Sequence, residues 1–90
     1  MATTTIRLPP VLEPAVGAVR EVTVSGATVQ EALADLCAQA PTLQVRLFDE
    51  QGRLRRHVLC VHNGRATRLT EPEPLTDGDE LTILPAVSGG

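Results

Sequence analysis

The chain has 90 residues, room for one domain, and carries a net charge of −3 in which all eight basic residues are arginine. Phe48 is its only aromatic residue, so the core must be built from Leu, Val, Ile and Ala. With neither a basic stripe nor a set of stacking rings, the composition speaks against a nucleic-acid partner. The missing lysines read either as compositional bias or as a chain that cannot be extended through its own ε-amines.

Cys37 and Cys60 are too few and too widely spaced for zinc, and both fall at core-facing positions, so free buried thiols and no metal are expected. The Met-Ala-Thr-Thr-Thr start lacks the pattern of a signal peptide. The longest apolar run, Val58-Leu59-Cys60-Val61, is far short of the ~20 residues of a membrane span. The expectation is a cytoplasmic protein with no membrane partner.

Thr3 to Leu8 is β-rich, with Ile6 and Leu8 on one face, and Pro9-Pro10 stops it. Glu13 to Ala18 contains Pro14 and Gly17 and reads as a loop. Val19 to Val24 resumes as a strand with Val22 and Val24 on one face, ended by Ser25-Gly26, so the first two strands make a hairpin. Thr28-Val29-Gln30-Glu31 is a capping box. Apolar residues then recur at Val29, Ala32, Leu33, Leu36, Cys37 and Ala40, the spacing of one buried helical stripe, until Pro41 closes it.

Leu43 to Phe48 is ambiguous, with a short helical turn as the reading it offers, and Asp49 to Gly52 reads as an exposed turn. Arg53, Arg55 and Arg56 follow as a solvated loop. His57 to His62 is a β run, Asn63-Gly64 a two-residue hairpin turn, and Arg65 to Arg68 the return strand. Thr70 to Pro74, with two prolines, is an irregular crossover, and Asp77-Gly78-Asp79 a tight turn. Glu80 to Val87 is the last strand with Leu81 and Ile83 inward, and residues 88–90 form a flexible tail after a domain of residues 1–87. The order β-β-α-β-β-β is that of an α+β, ubiquitin-like β-grasp fold, a mixed sheet wrapping one main helix.

The run from Leu75-Thr76-Asp77-Gly78-Asp79-Glu80 to Pro85-Ala86-Val87-Ser88-Gly89-Gly90 resembles the C-terminus of prokaryotic sulfur carrier proteins. That family includes the small subunit of molybdopterin synthase and the carriers of the thiamine and cysteine pathways. The Asp49–Arg56 segment and the Pro-Ala-Val-Ser-Gly-Gly ending look most like the cysteine-pathway type.

The resemblance implies that Gly90 is the adenylation and thiocarboxylate site. Gly89, Ser88 and Val87 would form the part that inserts into a partner's channel, where residues without a Cβ or with small side chains pass most easily. It also implies three partners: a ubiquitin-activating-type adenylating enzyme that uses ATP, a desulfurase or rhodanese-like sulfur donor, and a sulfur-accepting biosynthetic enzyme. The chain itself would bind no cofactor, hold no catalytic residue and be a monomer when free.

If Val58 and Cys60 face the helix, then Leu59, Val61, Thr82 and Leu84 share the outer face of the sheet and offer a docking patch. Asp77, Asp79 and Glu80, with Glu71 and Glu73, form an acidic cluster that either steers docking or serves the turn. His57 and His62 have no carboxylate, Cys or Ser partner at motif spacing and read as structural. Three further readings stay open: a molybdopterin synthase subunit, a protein modifier conjugated through Gly90, and a β-grasp adaptor without tail chemistry.

Overall fold

The computed structural model describes residues 2–9 and 20–85. β1 (Ala2–Leu8) alternates as β-branched residues on a half-buried sheet should, with Ala2, Thr4, Ile6 and Leu8 inward. β2 (Arg20–Gly26) pairs with it antiparallel, setting Ile6 opposite Val22 and Thr4 opposite Val24. The expected loop over residues 13–18 lies outside the described residues.

The second strand runs to Gly26 rather than stopping at Val24, and Gly26 has a packing reason for being glycine. A Cβ there would sit 2.7 Å from the Ala32 amide nitrogen and 2.8 Å from Glu31 Cβ, so the bare backbone lets the helix approach the strand end.

That helix, α1 (Val29–Gln39), starts as its capping residues dictate. The Thr28 hydroxyl accepts from the Glu31 amide at 3.1 Å, and the Glu31 carboxylate accepts from the Ala27 amide, one residue before the cap. Val29, Ala32, Leu33, Leu36 and Cys37 are buried, the stripe expected from their spacing. The ambiguous segment after Pro41 is helical: α2 (Thr42–Leu47) buries Leu43 and Leu47, one turn apart, in the same core.

β3 (Val58–His62) and β4 (Arg65–Thr67) form the second hairpin. Asn63 (φ 50°) and Gly64 (φ 84°) both adopt the left-handed conformation that a tight two-residue turn demands. β5 (Glu80–Pro85) follows, with Leu81 and Ile83 fully buried.

The sheet order is β2-β1-β5-β3-β4; β5 is parallel to β1 and antiparallel to β3. β5, the last strand among the described residues, therefore sits in the middle of the sheet, with α1 and α2 covering one face. This mixed sheet wrapped on a main helix is the β-grasp architecture expected from the order of elements. Cys37 and Cys60 are free and buried, and burial pushes the Cys60 thiol up to about 12 with a further contribution from Glu73. Among the described residues no helix is long and apolar enough to cross a membrane, and no cluster has the makings of a metal site.

Candidate functional site

The last described residue, Pro85, pairs with Val58 at the start of β3. Only residues 86–90 separate it from the end of the sequence. The four tail residues singled out above, Val87, Ser88, Gly89 and Gly90, lie outside the described residues, as does the boundary drawn after residue 87. The structure describes the root from which they continue: a strand held on both sides, by β1 through Ile6 and Arg7 and by β3 through Val58 to His62. A central strand is the most firmly anchored place in a sheet, so the tail is attached to a rigid base.

The four expected docking residues come together. Leu59 lies opposite Leu84 and Val61 opposite Thr82, all on the sheet face away from α1. Ala66 continues the row from β4, opposite Val61. Leu84 is 39% exposed, and Leu59, Val61 and Thr82 are half-buried. The result is a small apolar strip ending at the tail root.

The acidic residues divide by role. Asp77 is exposed and accepts the Thr3 amide at 2.8 Å, tying the turn before β5 to β1. Glu80 is exposed and its backbone pairs with Asn63. Asp79 is turned inward against His62, and its backbone carbonyl accepts the Thr4 hydroxyl.

His62 does more than its sequence context suggests. Its ring is bonded on both sides: Nδ1 lies 2.6 Å from Glu73 Oε2 and Nε2 lies 2.8 Å from Asp79 Oδ2. The second Glu73 oxygen accepts the Thr67 hydroxyl at 2.6 Å, and Asp79 also accepts the Thr76 amide at 2.9 Å. The partners stand 11 and 17 residues away in sequence, so motif spacing could not show them. The available hint was a histidine at the end of an apolar strand, followed by a crossover that carries several carboxylates.

A neutral imidazole has one N–H, so only the imidazolium can donate to both acids. Burial alone would lower the His62 pKa, but the bonds to Asp79 and Glu73 and the two negative charges outweigh it, and the net direction is up. Hydrogen bonding from Thr67, then from His62, holds Glu73 below its ordinary range against some desolvation. Asp79 is held down at about 2, first by the Asn63 side chain, then by His62 and the Thr76 amide.

The crossover is strapped to the other side as well. The Val29 amide donates to Glu73 O at 2.8 Å, and the Leu75 amide donates to Ala27 O at 3.0 Å. The Gln30 side chain donates to Glu71 O and accepts from the Glu73 amide. These contacts hold the crossover between the start of α1 and the β3–β4 hairpin, and through Asp79 they fix the approach to β5. Nothing in this arrangement makes a nucleophile: both thiols are buried, and His62 is spent on its two carboxylates. His57 lies in an exposed turn before β3.

A β-grasp domain whose central strand β5 is followed in sequence by a Gly-Gly ending is the architecture of a ubiquitin-like carrier. The model of the ThiS family matches residues 11–90, and the chain belongs to that family. Among curated relatives, the sulfur carrier protein CysO of Mycobacterium tuberculosis is 36% identical over 90 residues, covering 96% of this chain and 97% of its own. Small archaeal modifier protein 1 of Haloferax volcanii is 43% identical over 64 residues, 71% of each chain. The Amycolatopsis orientalis BexX/CysO complex contains a chain that superposes with a TM-score of 0.79 at 34% identity, covering 97% of this chain and 99% of that one.

Proposed function

We propose that this chain is a sulfur carrier whose Gly90 carboxylate is activated and thiolated by partner enzymes. The observation that carries the reading is the family match running through the Gly-Gly end, on a fold whose central strand β5 ends five residues before Gly90 in sequence. The chain supplies the carboxylate and the recognition surface, and catalysis resides in the partners.

In the first step a Gly90 carboxylate oxygen attacks the α-phosphorus of ATP held by an adenylating enzyme, and pyrophosphate leaves. In the second, a sulfur nucleophile at the oxidation level of hydrosulfide attacks the acyl carbon and AMP leaves, which yields the thiocarboxylate. That sulfur then attacks an electrophilic carbon of a biosynthetic intermediate on an acceptor enzyme and displaces that carbon's leaving group. Water cleaves the acyl C–S bond of the resulting thioester, which frees the sulfur on the intermediate and regenerates the Gly90 carboxylate. Without a Cβ at either glycine the tail can thread a narrow channel, and affinity comes from the domain surface. Leu59, Val61, Thr82 and Leu84 are the docking strip for that purpose, with exposed Asp77 and Glu80 beside the turn as the groups available for steering.

Similarity to the CysO carriers favours a cysteine-type pathway as the destination of the sulfur. The likeness to small archaeal modifier protein 1 supports a second reading, conjugation of Gly90 to lysines of target proteins. Mass spectrometry separates the two. Incubation with an adenylating enzyme of this family, ATP and a sulfide source should exchange one oxygen of Gly90 for sulfur, and a chain lacking Gly90 should show no exchange. Absence of the exchange, or its appearance in the truncated chain, overturns the carrier reading; isopeptide-linked conjugates in cell lysate establish the modifier.

A further inference from the structure

Half of the chain's eight arginines gather where the sequence suggested only a solvated loop. A groove of about 950 Å³ runs between α1, the segment 52–56 and the β4 edge, and Arg53, Arg55, Arg56 and Arg68 line it. No described aspartate or glutamate does, although the chain as a whole is acidic. Partly buried Phe48, Leu54 and Leu69 form the apolar floor, packed against the core.

Two of the arginines are held in place from within. Arg55 Nε donates to Val45 O at 2.7 Å, and an Arg53 guanidinium nitrogen donates to Gln51 Oε1 at 2.6 Å. Arg56 and Arg68 are exposed and have no hydrogen-bond or ion-pair partner among the described residues. Asp49 Oδ2 lies 3.7 Å from Arg53 Nε and offsets that charge from outside the lining. Arg55, Arg56 and Arg68 have no ion-pair partner among the described residues, and an anionic occupant would relieve their mutual repulsion.

Position identifies the kind of occupant. Val58 and Leu59 both line the groove, and they pair with Pro85 and Leu84, so it opens beside the tail root and onto the end of the apolar strip. A phosphate cradle would want open backbone amides at a helix start, but the Val29 amide at the start of α1 is taken by the crossover. A single-stranded nucleic acid would want several stacking rings, and Phe48 is the only aromatic in the chain. Guanidinium forks above an apolar floor, two of them tied in place, suit carboxylates interspersed with apolar side chains.

We propose that this groove receives an acidic, apolar-interspersed segment of the partner protein that takes up the tail. The partner's role in this inference rests on the carrier reading; the binding itself does not. With a segment seated here and the strip covered by the same partner, recognition would flank the point from which Gly90 is delivered.

The probe is a short synthetic peptide alternating glutamate and leucine, with a lysine–leucine peptide as control, titrated into the isotopically labelled full chain and followed by NMR. Amide shifts should concentrate at residues 52–56 and 66–70, and the lysine peptide should produce none. The double variant R56E/R68E should lose about tenfold or more in affinity, and R56Q/R68Q an intermediate amount, with both retaining native amide dispersion. Binding should weaken as salt rises.

Shifts confined to the outer sheet face, no binding at millimolar peptide, or undiminished binding by R56E/R68E would each overturn the proposal. Tighter binding of tripolyphosphate or an oligonucleotide than of the peptide would overturn it in favour of a phosphate site. A chain lacking Gly89-Gly90 should bind the peptide as the full chain does. Failure of thiocarboxylate formation with peptide binding intact would therefore count against the carrier reading alone.

Discussion

Replacing His62 with glutamine tests whether the histidine ties the crossover to the hairpin as a cation. The ring is 14% exposed, with Glu73 30% and Asp79 16% exposed, so the cluster is shielded without being sealed. A charge-assisted bond such as the 2.6 Å contact to Glu73 is worth about 1.5–3 kcal/mol when well protected, and solvent screening at this exposure reduces it to about 1 kcal/mol. The Asp79 contact acts in the same direction.

The sign follows from the direction of the shift. The His62 pKa is raised on folding, so its contribution is fully present below the unfolded value of about 6.5 and is lost as pH rises through the higher folded value. Glu73 and Asp79 are lowered, so theirs is present above their unfolded values near 4 and is lost as pH falls toward about 2 for Asp79. The cluster therefore contributes most between about pH 5 and 6.5. Glutamine can donate one bond but carries no charge, much as neutral histidine does. The stability gap between wild type and His62→Gln should thus be about 1 kcal/mol or somewhat more near pH 6 and should close toward pH 9. The chain has neither Trp nor Tyr, so urea unfolding is followed by far-UV circular dichroism. A gap of the same size at both pH values, or none near pH 6, would refute a charged clamp.

Two other changes probe the fold and the docking strip. Gly26→Ala places a methyl group 2.7 Å from the Ala32 amide nitrogen, with backbone on one side, so it should cost about 1–3 kcal/mol in urea unfolding and loosen the start of α1. Leu84→Ala should cost about 1–2 kcal/mol in urea unfolding, because some three-fifths of the residue is already covered in the free chain. Complete burial of a leucine is worth about 1.5–3 kcal/mol and 39% of this one remains exposed, so covering it contributes about 0.6–1.2 kcal/mol. Affinity for the adenylating partner should accordingly fall about three- to eightfold by calorimetry, and an unchanged affinity would remove Leu84 from the interface.

Features whose physics is local are legible in the residues themselves. The Thr28–Glu31 cap and the stripe from Val29 to Ala40 specify α1, because side chains three and four apart share one helix face. Asn63-Gly64 specifies a turn through two positive φ angles, and alternation places Ile6, Val22, Leu81 and Ile83 inward. The same alternation assembles Leu59, Val61, Thr82 and Leu84 on one face, and the Gly-Gly ending carries the functional reading. The ambiguity over Leu43–Phe48 is of a different kind: six residues are too few for periodicity to decide, and α2 forms because the core accepts Leu43 and Leu47 together.

Groupings that need distant segments side by side arise only when the chain is packed. His62 meets Glu73 and Asp79 because β5 pairs with β3 while the crossover is pinned to α1, and loop closure over such separations leaves no local pattern. Gly26 looks like a strand terminator until α1 lies across it. Arg53, Arg55 and Arg56 look like a solvated loop until β4 brings Arg68 to the opposite wall, because a concave charged surface is a property of several elements at once.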